Sequence, residues 1–235
     1  HDSHRRQRQM CIRDRSLFSS FLLVFSLTMN SFILREYENF YSTDGAEVIE
    51  TLKKLDEKYW LMESKAKHSL FNFSQRSIFF IENRQIYVTE IEKNLRAFGG
   101  LRKENQTFKL NYENKEVEFT FNKKTGKFSF NEPVYGNLSL QLQLKFDLTS
   151  DSLPLSKEYL FLDKGKIKTK KFLSDFNNEE DESFPSYKIS EIRDDDKEYY
   201  LWFKEDDFLT TFKIFNDFGP RTATWRLVES MPSAE

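Results

Sequence analysis

Between Thr107 and Phe130 apolar and polar residues take turns along the chain. Phe108, Leu110 and Tyr112 alternate with polar partners, then Val117, Phe119 and Phe121 do so, then Phe128 and Phe130. A period of two puts every second side chain on one face of a strand. The links Glu113–Asn114–Lys115 and Lys123–Lys124–Thr125–Gly126 have the length and chemistry of hairpin turns. This pattern predicts a three-stranded meander whose single apolar face carries those eight residues.

A second β-rich block closes the chain. Tyr159–Leu162 and Lys166–Leu173 flank Asp163–Lys164–Gly165, a turn with glycine available for positive φ. Tyr187–Ile192, Tyr199–Phe203, Phe208–Phe215 and Thr222–Val228 follow, separated by Asp194–Lys197, Lys204–Asp207 and Asp217–Pro220. Short strands with regular turn signals predict an antiparallel sheet or barrel. Asn177–Ser183, a run of polar and acidic residues, reads as a loop.

Two segments fit either element. In Ala46–Leu55, Ile49, Leu52 and Leu55 have helical spacing, and Asp44 with Glu47 forms a capping-box pattern. Asp44–Gly45 is equally a turn before a strand, and Tyr59–Met62 continues in strand-like residues. In Gly136–Ser150, Leu138, Leu140, Leu142, Leu144, Phe146 and Leu148 alternate strictly, which by itself says strand. Wound as a helix, they form two stripes on nearly opposite sides, tolerable only in a buried helix.

The N-terminal region changes how composition is counted. Read back into codons, Arg5–Arg15 resembles the transposon-end adapter DNA used to fragment sequencing libraries, which predicts that residues 1–15 are an adapter artefact. Without them 31 basic face 36 acidic side chains, a formal charge of −5, and neither Cys11, the sole cysteine, nor His1 and His4 remains. Residues 16–34 follow, uncharged from Leu17 to Met29 and too short to span a bilayer comfortably. They predict a truncated signal peptide whose start is missing, hence export to a periplasm or outer envelope; the alternatives are a buried N-terminal strand or helix, or a true start at Met29. Residues 35–229 read as one β-rich domain and 230–235 as a tail. Mild acidity argues against nucleic acid, and no transmembrane span is expected.

Candidate chemistry is sparse. With no genuine cysteine, Cys–His catalysis and thiolate zinc cages drop out. His68, in Lys67–His68–Ser69, lacks the strained elbow of a serine nucleophile. The acidic runs Glu179–Glu182, Asp194–Asp196 and Glu205–Asp207 lack calcium-loop spacing and fall at turns. Lys164–Lys171, the one basic stretch after the terminus, reads as the solvent face of an edge strand, or as a patch for lipid head groups or an acidic polymer. No catalytic residue, metal ligand or cofactor is expected.

The order of features resembles an exported bacterial domain-of-unknown-function family, number three-one-zero-eight. The resembling pieces are EYENFYSTDGAEV, YWLMESKAKHSLFNFSQRSIFFIENRQIYV, KEVEFTFNKKTGKFSF, NLSLQLQLKFDL and YLWFKEDDFLTTFKIFNDFG, within residues 35–229. Asn137 departs from the acid expected there, and Leu209–Thr210 from a Leu-Pro pair. The resemblance implies a mainly β protein: a single curved antiparallel sheet or open half-barrel with one mid-chain helix over about residues 137–148. It also implies that Ala46–Leu55 is a strand.

The expected function is that of a non-catalytic, envelope-associated β-protein. It would bind a lipid or other hydrophobic envelope component on its concave sheet face, or scaffold an envelope protein partner. Phe108, Leu110, Tyr112, Val117, Phe119, Phe121, Phe128 and Phe130 are the candidate ligand-binding residues. The alternative is a carboxylate-dependent hydrolase of an envelope polymer, which needs two facing acids in a cleft.

Overall fold

The computed structural model describes residues 34–43, 46–148, 156–177, 186–193, 198–204, 209–215 and 223–232. The adapter-like stretch, the apolar segment through Ile33, the acidic runs and residues 178–183 lie outside them. The first arm of the sheet comprises β1 (Tyr37–Thr43), β2 (Ala46–Lys54), β3 (Tyr59–Lys67), β4 (Phe71–Glu82) and β5 (Gln85–Ala97). It continues through β6 (Arg102–Asn111), β7 (Glu116–Phe121) and β8 (Lys124–Ser129). A two-residue strand β9 (Val134–Tyr135) and helix α1 (Asn137–Leu148) connect to β10 (Ser156–Asp163) and β11 (Lys166–Asn177). Then come β12 (Ser186–Ile192), β13 (Glu198–Lys204), β14 (Leu209–Phe215) and β15 (Ala223–Pro232).

All these strands form one sheet in the order β8-β7-β6-β5-β4-β3-β2-β1-β15-β14-β13-β12-β11-β10-β9. Every pairing is antiparallel except the short parallel contact of β9 with β10. The fold is therefore mainly β, a single curved antiparallel sheet with one mid-chain helix. Each arm is a meander, which suits strands joined by tight turns. The arms meet at the seam where β1 pairs β15.

Curvature brings the far ends of the sheet back together without pairing them. The Lys164 N–H, in the β10–β11 turn, donates to Gln106 Oε1 on β6 at 2.8 Å. Gly165 lies flat on Phe119 of β7, so closely that a Cβ there would sit 2.4 Å from the ring. Lys164 and Gly165 have φ of 51° and 72°, the left-handed pair that a two-residue hairpin needs. Register shifts at Phe40/Tyr41 and Ile78/Phe79 add local bends to the first arm.

Helix α1 sits against the concave face. Its leucines, Phe146, Ser139, Gln143 and Lys145 are all buried, so apolar residues on two opposite sides both find partners. Burial all round is why a strictly alternating sequence winds as a helix here. Its start is fixed by Ser139, whose Oγ accepts from the Gly136 N–H at 2.9 Å, while Leu140 N–H donates to Gly136 O at 2.9 Å. Gln143 binds the β4–β5 turn: it accepts from the Ile86 N–H at 2.8 Å and donates to Arg84 O at 3.2 Å. At its C-terminal end Asp147 accepts from Tyr159 OH at 2.7 Å and from Lys157 Nζ at 2.9 Å on β10.

Two readings from sequence need correcting. The link in the meander is Asn122–Lys123, with Asn122 at φ 54°, and Gly126 lies inside β8 opposite Phe119. There the absent side chain makes room for the Phe119 ring, which would be 2.7 Å from a Cβ. The lysine-rich stretch belongs to β11, an internal strand between β10 and β12, not an edge. Lys166, Lys168 and Lys171 reach solvent, whereas Lys170 turns in to Glu191 at 3.0 Å.

Candidate functional site

The register of the first arm sorts its inward side chains into rows that cross the strands. One row is polar throughout: Asn39 pairs with Glu50, Glu50 with Ser64, Ser64 with Gln75, Gln75 with Lys93, and Lys93 with Gln106. On one side runs Tyr41, Val48, Ala66, Phe73 and Leu95. On the other runs Tyr37, Leu52, Met62, Ser77, Ile91, Phe108 and Phe119, apolar but for Ser77. A polar belt thus divides the apolar interior in two.

The belt is deeply buried at Glu50, which is 5 % exposed. Tyr37 OH donates to Glu50 Oε1 at 3.0 Å, and Tyr41 and Gln141 of α1 also bond to the carboxylate. Burial disfavours the charged form and pushes the carboxyl up to about 7; these three donors hold it from rising further. Burial, with the Glu50 charge beside them, raises the Tyr37 and Tyr41 hydroxyls well above the ordinary phenol range. Asn39 Nδ2 donates to Tyr41 OH at 3.2 Å, while Asn39 Oδ1 finds no partner among the described residues.

At its other end the belt meets the folded-back hairpin. Gln106 Nε2 donates to Glu104 Oε1 at 2.7 Å, and Lys93 Nζ lies 3.5 Å from the same oxygen. Asp163 of β10 is pushed up by partial burial but pulled down further by Lys168, 2.8 Å away, and by the nearby Lys93 and Lys164. The balance leaves it below the usual carboxylate range. Gln75, Lys93, Gln106, Asn137, Phe161 and Asp163 help to line a cleft of about 290 Å³, counting the solvent at its mouth. Most of that is open solvent: the enclosed room is about 20 Å³, enough for about one water molecule and far below a drug-sized ligand or an acyl chain.

Of the eight residues singled out by alternation, Phe108, Leu110, Val117, Phe119, Phe121 and Phe128 share one face of β6–β8, while Tyr112 and Phe130 follow the ends of β6 and β8. Phe108, Leu110, Val117 and Phe130 are buried, and Tyr112, Phe119, Phe121 and Phe128 are half-buried. Their cover comes from the far end of the same sheet: Phe119 against Gly165, and Phe108 across the cleft from Phe161. Tyr112 is enclosed edge-on by Phe80, Tyr87 and Phe130. His68 sits in the β3–β4 turn, stacked on Phe71, its Nδ1 accepting from the Leu70 N–H at 3.1 Å.

Alternation alone missed the polar belt, yet it left a trace. Glu50 shares its strand phase with Val48 and Leu52, Asn39 with Tyr37 and Tyr41, and Gln106 with Phe108. A polar residue in the apolar phase of a strand marks a buried polar site. Chemically, the belt offers one near-neutral carboxyl, a set of amides and a lysine. The partners of Glu50 are phenols and an amide, so the facing pair of acids a glycoside hydrolase requires is not assembled there.

These features define a barrel-like, mainly antiparallel β-protein with a helix against its concave face. No protein-family model matches the chain, and no curated protein matches it. Among solved structures, it is similar to the crystal structure of a beta-barrel-like protein of domain of unknown function DUF1849 from Brucella abortus. The TM-score is 0.56 at 8 % identity, over 86 % of this chain and 99 % of that one. At such identity the likeness is one of fold.

Proposed function

We propose that the protein is an exported, non-catalytic module of the bacterial cell envelope that scaffolds partners through its surfaces. The observation that carries this reading is α1, which occupies the concave face on which an exogenous lipid would otherwise lie. Two further features support it. Among the described residues, strand β8 has a hydrogen-bonded neighbour only on its β7 side, an edge to which another strand can add. The described cleft beside α1 is too small for a lipid chain. The order of sequence features shared with the exported family, and the apolar Leu17–Met29, support placement in the envelope.

The test is to purify the full chain from a heterologous periplasm, extract it with organic solvent and analyse the extract by mass spectrometry. A mock purification is the control. A folded protein without bound lipid is the expected result. A lipid present at one per chain would overturn the scaffold reading and establish a carrier. What favours the carrier as second reading is that α1 covers apolar side chains of the sheet with one of its two apolar stripes, so displacing it would bare an apolar wall from Phe79 to Phe108. Phe108 and Phe119 would then be the residues to alter.

A further inference from the structure

The end of the sheet bearing the β3–β4 and β5–β6 turns presents large apolar side chains to solvent. Leu70 is 54 % exposed, Phe98 56 % and Leu101 92 %. The turns are neighbours, because the Phe98 N–H donates to Leu70 O at 2.8 Å. Phe98 is held at φ 52°, ahead of Gly99 at 65° and Gly100 at 96°. A bulky residue in that left-handed region is strained, and with Phe98 56 % exposed the strain returns little hydrophobic gain within the chain.

Cations stand directly behind this tip. Arg96 and Lys103 face each other across β5 and β6. Both lean over Gly100, where a Cβ would be 3.2 Å from Arg96 Nε and 3.4 Å from Lys103 Cε. Like charges directly opposite destabilise a sheet, and neither side chain has an ion-pair partner among the described residues. Arg102, 60 % exposed, makes only a 3.8 Å contact with Glu104 among the described residues, and exposed Lys67 closes the β3 side of the tip.

We propose that this end of the sheet is a membrane-docking tip for an anionic bilayer. Leu70, Phe98 and Leu101 enter the interfacial zone, and Arg96 with Lys103 receives a lipid phosphate between them. Apolar side chains projecting ahead of bases are the arrangement that binds an interface, since burial and charge attraction act on the same surface. The phosphate also removes the repulsion between the two cations. An apolar partner protein would satisfy the tip but leave that repulsion in place. The docking needs no ligand inside the sheet, so it stands whether the concave face is filled or emptied.

The experiment is co-sedimentation of the full chain with vesicles of phosphatidylcholine alone and of phosphatidylcholine mixed with phosphatidylglycerol. Binding to the mixed vesicles is expected, weakening as salt is added. Each base near such a surface contributes about fivefold to partitioning, so R96Q/K103Q should bind about 30-fold less. F98S/L101S should lose at least about tenfold. The apolar segment before Leu34 is common to all variants, so differences report the tip, and circular dichroism melts check the fold. Wild-type binding by either folded variant would overturn the proposal. Salt-independent binding, equal on neutral vesicles, would overturn it too.

Discussion

Two rows of side chains lie one pleat apart on the same strands and serve opposite ends. The row from Tyr37 through Leu52, Met62, Ile91 and Phe108 is nearly all apolar and stabilises by burial. The row from Asn39 through Glu50, Ser64, Gln75 and Lys93 to Gln106 gains little from burial and must satisfy its polar atoms. What the second row contributes is register. A one-residue slip would turn every side chain to the other face, and a two-residue slip would set polar atoms against apolar neighbours. A sheet this wide needs such a marker, because long meanders of alternating residues otherwise tolerate several pairings.

The strongest challenge to that contrast is Phe108→Ala, 1 % exposed in the apolar row. It should cost about 3–5 kcal/mol by urea denaturation; a cost below about 1 kcal/mol would mean that the row is not the core. Glu50→Gln probes the polar row through pH. The folded carboxyl titrates at about 7, above its unfolded value, so the native state holds the proton longer. The wild type therefore loses stability as pH rises from the unfolded value through about 7. The variant should accordingly be more stable at pH 8 by roughly 2–3 kcal/mol, with the difference vanishing in mild acid. A pH-independent difference would remove Glu50 from the account.

Gly165→Ala tests how the two arms meet. Its Cβ would strike Phe119, and its φ of 72° disfavours any side chain. A loss of about 1–3 kcal/mol is expected in thermal melts. Ser77→Ala gives the smallest effect. Its hydroxyl is buried in the apolar row without a partner among the described residues, so its removal should be neutral or stabilising by less than about 1 kcal/mol. A marked loss would reveal a hydrogen bond that the row conceals.

Local pattern carried most of the strands. Alternation from Phe108 to Phe130 gave the β6–β8 meander because each side chain answers to a single face. The turn at Asp163–Lys164–Gly165 was legible from its glycine. Alternation read Leu138–Leu148 as a strand, and only the resemblance to the exported family implied the helix. The physical reason is that a helix buried on all sides loses the one-sided period by which helices are recognised. Glu50, Gln106 and Gly126 carried local hints, but their meaning depends on partners supplied by distant strands. The hairpin turn at Asn122–Lys123 was displaced by Gly126, whose small size serves Phe119 and not a turn.

The seam between β1 and β15 has a bearing on how the chain reaches this state. Tyr37 pairs with Pro232 and Ser42 with Arg226, so the middle of the sheet joins the first and last of the described strands. Adjacent hairpins can zip as soon as they are made, but this contact closes a loop of nearly the entire chain and carries its full entropic cost. During synthesis the edge of β1 that pairs β15 must therefore wait, unpaired, for β15 to arrive. Folding would then finish at the centre of the sheet rather than at its rim. A chaperone that shields one exposed strand would have its longest opportunity at Tyr37–Thr43.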